Sequence, residues 1–529
     1  MRQAGVLIPL FSIRTPTGWG LGEIPDLVPF ARWAVRSGIT IVQVLPVTEA
    51  SRGQSSPYGA LSAFAIDPVY LALDHVEDLA AAGGLDALAP ADRAHLAELR
   101  GAPSVRWREV RELKERACAV AFRSFVEREW RRRKPRALAL EAYRVEHASW
   151  LDDYALFVAL HDDVQGGRSW TEWDAPLRDR DPAALEAARA ELSERVLYRC
   201  WLQWQLDLQW HAAREAVRAT GAELMGDLPF MVATDSADVW ARPFDFRLDA
   251  RAGVPPDAYS AEGQDWGLPV YRWDEQARNG YAWITARGRR AAELYGAYRV
   301  DHVVGFYRSY YRPNDGGPPA FVPETEPEQV KNGERVMAAF SQGARVIAED
   351  LGTVPDFVRA SLTRIGAPGY RVLRWEKDGE VFRDPARWPA LSLATTGTHD
   401  SDSMADWWEG LDPEERRALL ALPGLASIAA SATERFDDAV RDALLELVYA
   451  SGSDLVLLPF QDLLGARERV NVPGTVNDQN WTYRVPADVA SLLADGASIA
   501  RLRDLAARSG RIPASGTAGP SGARPEAAR

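Results

Sequence analysis

The chain has 529 residues, a hydrophobic content of 47%, a charged content of 26% and a formal net charge of -13 at pH 7. This length is too great for one small domain, and the acidic balance argues against nucleic acid or an anionic membrane as the main partner. Two cysteines, Cys118 and Cys200, exclude a disulfide-rich scaffold. Because the N-terminus lacks a signal-peptide pattern and no run of about 18 apolar residues occurs, we expect a protein of the reducing cytoplasm.

The first part of the chain, residues 1–75, is predicted to begin a β/α fold. Residues 40–46 form a continuous apolar run between Gly38 and Pro46, which is typical of a buried parallel strand. A loop follows, and residues 63–68 are predicted as a second strand or a loop segment. Residues 76–215 then change to a helical pattern rich in Ala, Glu, Arg and Leu. We interpret them as a helical insertion, in which the basic run at 131–136 is a solvated helix end.

Strand, loop and helix patterns alternate again in residues 216–512. The candidate strands are residues 224–229, 298–302, 345–349, 370–375, 391–395 and 454–459. Together with the two earlier candidates they approach eight, and the alternation predicts a parallel sheet. The length favours a (β/α)8 TIM barrel over an open sheet. Residues 513–529 are rich in Ala, Gly, Pro and Ser and are predicted to be a disordered tail.

Three acidic residues, Asp301, Glu349 and Asp400, stand at the ends of strand-like runs. The carboxyl ends of barrel strands meet at one mouth, where carboxylates from neighbouring strands can cleave a glycosidic bond. Asp301 and Glu349 fit such a pair, and Asp400 is a candidate for binding sugar hydroxyls. A single strand-end aspartate is more commonly a helix cap or a loop residue, so the residues alone leave both interpretations open.

Charged and imidazole side chains accompany these acids. Arg299 lies two residues before Asp301, so both point the same way along a strand, and its charge favours an ionised Asp301. His302 and His399 are predicted to hydrogen-bond sugar hydroxyls. We expect no metal site, because no metal-ligand spacing such as HExxH or CxxC occurs. No Gly-rich phosphate loop is present either, so we expect no cofactor and no nucleotide sugar.

Many short motifs in this chain resemble, in order, those of the 4-α-glucanotransferases called amylomaltase or disproportionating enzyme, from about residue 5 to residue 485. They include Gln43-Val-Leu-Pro46, Ser56-Pro-Tyr58, Gly226-Asp-Leu-Pro229, Arg299-Val-Asp301-His302, Ala348-Glu349-Asp350-Leu-Gly352, Thr398-His399-Asp400 and Asn471-Val-Pro-Gly474. The resemblance implies a (β/α)8 barrel with inserted, largely helical subdomains and no separate C-terminal β domain.

The resemblance also implies roles for particular residues. Asp301 would be the nucleophile of a retaining reaction with a covalent β-glycosyl intermediate, Glu349 the acid/base, and Asp400 the group that stabilises the transition state. The implied substrate-binding residues are Tyr58, which would stack on the sugar, Arg299, His302 and His399 around the attacked glucose, and Asp257, Gln264 and Trp266 in a loop over the acceptor side. The implied partners are malto-oligosaccharides, starch- or glycogen-derived glucans and a glucose acceptor.

The chain departs from the family pattern at two places. Ser401-Asp402-Ser403 stands where the family commonly has Asn-Asp-Thr, and Val470 stands where it has Met. Both changes leave the three acids intact and bear on substrate preference. The alternatives are an α-1,4-glucan hydrolase on the same scaffold and a non-catalytic glucan-binding protein, which would be expected to have lost one acid. A scaffold or interaction role for residues 76–215 also remains open.

Overall fold

The structure is a computed structural model that describes residues 2–51, 53, 55–256, 263–475 and 477–512. Eight parallel strands form a closed barrel in chain order, and the eighth pairs with the first. The strands, first to eighth, are Gln3–Leu7, Ile41–Gln43, Glu223–Leu228, Ala297–Val300, Arg345–Ala348, Gly369–Val372, Ser392–Thr395 and Leu455–Pro459. The predicted (β/α)8 barrel is confirmed.

One barrel strand differs from the prediction. Residues 63–68 are not a barrel strand, because Ile66 makes only an isolated bridge with Thr48. The Asp67 side chain instead accepts a hydrogen bond from the backbone nitrogen of Val69 and caps a short 3-10 turn. The missing strand is Gln3–Leu7, which is buried and pairs with the second and eighth strands.

Helices dominate the segment between the second and third barrel strands. They are Glu77–Ala82, Pro90–Gly101, Trp107–Phe125, Pro135–Glu146, Ala148–Val158, Ala175–Arg178, Pro182–Glu191 and Ser193–Ala219. The last of these packs on the third strand and on helix Leu27–Arg36, which joins the first two strands. It therefore covers the barrel wall, and other helices of the segment pack against it. The domain boundaries at residues 76 and 215 stay a prediction.

The rest of the barrel is connected by shorter helices. They are Ala237–Ala241, Trp273–Arg278, Ala282–Leu294, Val304–Tyr307, Glu326–Phe340, Asp356–Ile365, Met404–Gly410, Pro413–Leu420, Asp438–Tyr449, Phe460–Leu464, Val489–Ala494 and Gly496–Arg508. After the eighth strand, the regular elements of the described residues are helices, in agreement with a fold that has no separate C-terminal β domain. The predicted disordered tail, residues 513–529, lies outside the described residues.

The connections before and after the fourth barrel strand form a four-stranded antiparallel sheet. Its strands, in spatial order, are Gln264–Tyr271, Phe246–Val254, Ser309–Pro313 and Ala320–Val322. A small hairpin, Lys377–Asp378 with Val381–Phe382, follows the sixth barrel strand.

Cys118 and Cys200 are both buried free thiols. Within the described residues, no helix combines the length and the apolar character that a bilayer span requires.

Candidate active site

Asp301 and Glu349 lie at the carboxyl ends of the neighbouring fourth and fifth barrel strands. The barrel hydrogen bonding continues through both residues, because the Asp301 nitrogen donates to Leu228 O at 3.0 Å and the Glu349 nitrogen donates to Val300 O at 3.0 Å. Their backbones are therefore fixed by the sheet itself, and both side chains start from the same rim of the barrel.

Arg299 lies between these acids and a third carboxylate. Its Nη2 is 2.7 Å from Asp301 Oδ1 and 3.7 Å from Glu349 Oε2. Its Nη1 is 2.8 Å from each carboxylate oxygen of Asp227, which faces it from the third strand. The Arg299 side chain is only 8% exposed, so its charge acts on the acids with little screening by water.

Glu349 is a buried carboxyl that binds its proton near neutral pH. Its Oε2 accepts from the backbone nitrogen of His302 at 2.7 Å, and its Oε1 accepts from that of Leu351 at 3.0 Å. Burial raises the pKa of Glu349 to about 7, although the Arg299 charge and both backbone donors oppose this rise. Such a group can both donate and accept a proton at neutral pH.

His302 forms one side of the site together with Trp266. Its backbone is left-handed, with φ 45°, and its ring meets the Trp266 ring edge-on with centroids 4.8 Å apart. The Phe230 ring also packs edge-on against His302, at 5.3 Å. Burial lowers the pKa of His302 to about 4, so the ring is neutral at neutral pH and offers one N–H donor and one acceptor.

Gln264 and Trp266 belong to an edge strand and not to a loop, which corrects the expectation. Both lie on Gln264–Tyr271, and Trp266 Nε1 donates to Gln264 Oε1 at 3.0 Å. The antiparallel sheet thereby holds them above the ends of the third and fourth barrel strands. The third residue assigned to this region, Asp257, lies outside the described residues.

Tyr58 and His399 line the other side of the site. Their rings are nearly parallel, at 15°, with centroids 5.2 Å apart, and the Trp481 ring lies 5.8 Å from each. The Tyr58 hydroxyl donates to Asp227 Oδ2 at 2.8 Å. Asp227 thus joins Tyr58 to Arg299, and through it the two sides of the site.

Asp400 is the most open of the three acids, with a side chain 42% exposed compared with 23% for Asp301. Its Oδ1 accepts from Asn471 Nδ2 at 2.7 Å. Its Oδ2 lies 3.4 Å from Nε2 of His399, and Nη2 of Arg469 donates to its carbonyl oxygen at 2.6 Å. These contacts fix the carboxylate and leave part of it free for a ligand.

Four residues of this site received no role from the sequence. They are Asp227, Phe230, Asn471 and Trp481. Asp227 lies inside the predicted strand at 224–229, two residues before its end, and therefore was not among the strand-end acids. Asn471 stands in one of the matched motifs, and Trp481, which has a left-handed φ of 63°, belongs to the matching pair Asn480-Trp481 that follows it, but the resemblance assigned no role to either. Among the described residues, no group of three or more His, Cys, Asp or Glu side chains is arranged to hold a metal ion.

Comparisons with known proteins find matches that span most of this chain. A family model described as 4-alpha-glucanotransferase matches residues 8–490. The 4-alpha-glucanotransferase of Thermus thermophilus is 34% identical over 501 residues, 92% of this chain and 95% of that protein. The chloroplastic/amyloplastic 4-alpha-glucanotransferase of Arabidopsis thaliana is 31% identical and covers 97% of this chain and 86% of its own. The structure of an amylomaltase from Streptococcus agalactiae in complex with acarbose superimposes with a TM-score of 0.82 and 25% identity, covering 97% of this chain and 100% of that one.

Proposed function

The chain belongs to the 4-alpha-glucanotransferase family, and on this basis we propose that it moves α-1,4-glucan segments between malto-oligosaccharides, or to glucose, through a covalent β-glycosyl intermediate on Asp301. As a member of this family it is a transferase that acts on glucans. Starch- or glycogen-derived glucans as donors, glucose as acceptor and a cytoplasmic location are parts of the same proposal.

The observation that carries the mechanism is the shared contact of Asp301 and Glu349 with Nη2 of Arg299. Asp301 Oδ1 and Glu349 Oε2 lie 2.7 Å and 3.7 Å from this nitrogen. The two oxygens therefore cannot be farther apart than the sum of these distances. That limit lies at the lower edge of the ~6.5–9.5 Å range between the carboxyls of inverting enzymes and admits the ~5–5.5 Å of retaining ones.

Each acid has the environment that its proposed role requires. Asp301 Oδ1 lies 2.7 Å from Nη2 of the Arg299 guanidinium, and this charge-assisted contact orients the carboxylate that attacks the anomeric carbon. The protonated Glu349 gives its proton to the leaving glycosidic oxygen. In the second half-reaction, Glu349 takes a proton from the hydroxyl of the acceptor sugar as that oxygen attacks the intermediate and releases Asp301.

The substrate contacts follow from the two sides of the site. We assign the Tyr58 ring to stack on the sugar whose bond is cleaved, because flat aromatic rings pack well on the apolar C–H face of a sugar. Arg299, His302, His399 and Asp400 would hydrogen-bond its hydroxyls. Gln264 and Trp266 would form the wall on the acceptor side, where excluding water favours transfer over hydrolysis.

Incubation of the purified protein with maltotriose tests the proposed function. Transfer predicts a ladder of longer malto-oligosaccharides together with glucose, resolved by chain length over time. Glucose and maltose alone would mean hydrolysis and would overturn the assignment of an acceptor site. The Asp301→Asn protein should keep its fold and lose turnover, and substantial remaining transfer would refute Asp301 as the nucleophile.

A further inference from the structure

The loop at residues 230–236 connects the third barrel strand with helix Ala237–Ala241 and separates the active site from the helical insertion. At its start, Phe230 packs against the rings of Trp266 and His302. At its end, Asp235 meets the insertion. A residue that fixes Asp235 can therefore influence the groove without contacting a substrate.

His161 is bonded to two carboxylates from different parts of the fold. It lies in the π-helical segment Ala159–Val164 and is only 4% exposed. Its Nδ1 lies 2.8 Å from Asp162 Oδ1, and its Nε2 lies 3.1 Å from Asp235 Oδ2. The Phe157 ring stacks on the imidazole at 5.4 Å and 17°. The ring is held on both edges and on one face, and it joins the insertion to the loop.

A chain of hydrogen bonds continues from Asp235 to the strand of Trp266. Asp235 Oδ1 accepts from the backbone nitrogen of Trp170 at 3.0 Å, and Trp170 Nε1 donates to Thr234 O at 2.9 Å. The Thr234 hydroxyl then donates to the carbonyl oxygen of Gly267 at 3.2 Å. Gly267 is the residue next to Trp266. This hydrogen bond therefore links the end of the loop to the edge strand that carries Trp266.

We propose that His161, held between Asp162 and Asp235, is a positioning residue that sets the Trp266 wall on the acceptor side of the groove. The inference rests on the proposed function, in which Trp266 belongs to the acceptor side. His161 acts through Asp235 and the loop, and it does not touch the reacting atoms.

The electrostatics of the bridge support this role. Hydrogen bonds to Asp162 and then Asp235 raise the pKa of His161 to about 9, so the imidazole is a cation between two anions at neutral pH. Asp162 also pairs with Arg199, whose Nη2 lies 3.5 Å from Asp162 Oδ2 and 3.7 Å from Asp163 Oδ2. Charge-assisted hydrogen bonds of this kind are stronger than neutral ones.

The loop has other supports, so removing the imidazole should displace it locally without unfolding it. The backbone nitrogens of Ala233 and Ala237 donate to the carbonyl oxygens of Ala60 and Leu61. The Tyr271 hydroxyl donates to Phe230 O at 2.6 Å. At Asp235 the contact of Oδ2 depends on His161, whereas Oδ1 is held by the Trp170 nitrogen and the Ser169 hydroxyl.

The test compares His161→Ala with His161→Lys, which restores a cation, and with His211→Ala, which removes an exposed histidine from helix Ser193–Ala219. With maltotriose as donor, we expect the KM for the glucose acceptor to rise about fivefold in His161→Ala. The donor KM and the kcat at saturating acceptor should change much less, and His161→Lys should recover part of the loss. In a Trp266→Ala background the effect of His161→Ala should disappear.

A binding measurement separates this inference from the proposed function. Calorimetric titration of maltose into Asp301→Asn and into Asp301→Asn/His161→Ala needs no turnover, and weaker binding to the double variant supports the positioning role. The inference is overturned if folded His161→Ala has an unchanged acceptor KM and maltose affinity. It is also overturned if the donor KM and the acceptor KM rise by the same factor while the melting temperature falls. That result would show that His161 only stabilises the fold.

Discussion

Arg299 and Asp227 face each other across the third and fourth barrel strands, with Nη1 of Arg299 2.8 Å from both carboxylate oxygens of Asp227. Both side chains are buried, with 8% and 0% of their surfaces exposed. The same carboxylate accepts from the Tyr58 hydroxyl. One buried anion thus holds both the guanidinium beneath the catalytic pair and the aromatic ring on the opposite side of the groove.

We expect Asp227→Asn to damage both stability and activity. An amide nitrogen cannot accept a hydrogen bond, so Nη1 of Arg299 keeps only one of its two oxygen partners. The guanidinium also loses one of the carboxylates that neutralise its buried charge. Removing one partner of a buried ion pair lowers the free energy of unfolding by about 3 kcal/mol or more. Denaturant unfolding measures this loss, and the transfer rate should fall because Arg299 moves relative to Asp301.

Asp249→Asn is the matched control for this substitution. Asp249 pairs with Arg247 on the antiparallel sheet, where its side chain is 69% exposed, and exposed ion pairs contribute little to stability. It should leave both unfolding and transfer close to wild type. Equal effects of the two substitutions would contradict the special position of Asp227.

The pH dependence of transfer should report Glu349. Burial raises its pKa to about 7, and the group must be protonated when the donor bond breaks. The rate at saturating donor should therefore fall as pH rises above about 7, as Glu349 loses its proton. In Glu349→Gln the remaining activity should be far lower and should lack this alkaline limb. A limb that persists in the variant would assign it to another group.

Glu349 should also affect the pH dependence of folding. Its pKa rises from 4.5 to about 7 on folding, so between these values the folded state binds more protons than the unfolded state. Stability must then fall as pH rises through this window, by up to about 3 kcal/mol in all. Glu349→Gln loses one acceptor for the backbone donors, which is a constant penalty. The difference in melting temperature should therefore shift in favour of the variant from pH 4.5 to pH 7, and a constant difference would contradict the assignment.

His302→Asn should separate stability from binding. The residue has a left-handed φ of 45°, which Asn tolerates better than His. The pKa of His302 falls from 6.5 to about 4 on folding, so the unfolded state takes up a proton first and wild-type stability falls as pH drops through this window. The variant lacks this loss and should gain stability relative to wild type at pH 5, measured by thermal denaturation. Its donor KM should rise, because the ring that lies against Trp266 is gone.

The barrel could be predicted from the sequence because buried parallel strands appear as short apolar runs between turn residues, as in residues 345–349. The apolar run of the first strand, Gln3–Leu7, continues into Ile8, Leu10 and Phe11, which are also buried although they leave the sheet, so the pattern does not mark where the strand ends. Residues 63–68 have a similar apolar composition, but the cap at Asp67 ends the run as a turn. Local pattern does not distinguish these cases, because pairing with distant strands decides them.

The strand ends also indicated where the acids would meet, but not which side chains hold them. The contact between Arg299 and Asp301 follows from a spacing of two along one strand. The contacts of Asp227 with Tyr58 and of Asn471 with Asp400 join residues that are 169 and 71 positions apart. Such contacts depend on closure of the barrel and on the path of the late loop, which a single sequence does not reveal.

The contact between Asn471 and Asp400 leads to the last prediction. Asn471 Nδ2 donates to Asp400 Oδ1 at 2.7 Å, and the other oxygen lies 3.4 Å from Nε2 of His399. Because the Asp400 side chain is 42% exposed, Asn471→Ala should free the carboxylate to rotate without unfolding the protein. Misplacement of a catalytic group by about 1 Å can lower a rate by up to about 100-fold, so we expect kcat to fall about 10- to 100-fold with maltotriose.

The control is Asn314→Ala, which removes an amide that donates to Leu248 O at 3.0 Å in the antiparallel sheet. Its kcat should stay near wild type, and melting temperatures should change little in either variant. If Asn471→Ala keeps full activity, Asp400 does not need this hydrogen bond, and His399 together with the backbone contact from Arg469 suffices to orient it. If activity falls together with the melting temperature, Asn471 supports the late loop and not the carboxylate. A loss of kcat with an unchanged melting temperature is the result that supports the prediction, because it shows that the Asn471 hydrogen bond orients the Asp400 carboxylate for the reaction and does not stabilise the fold.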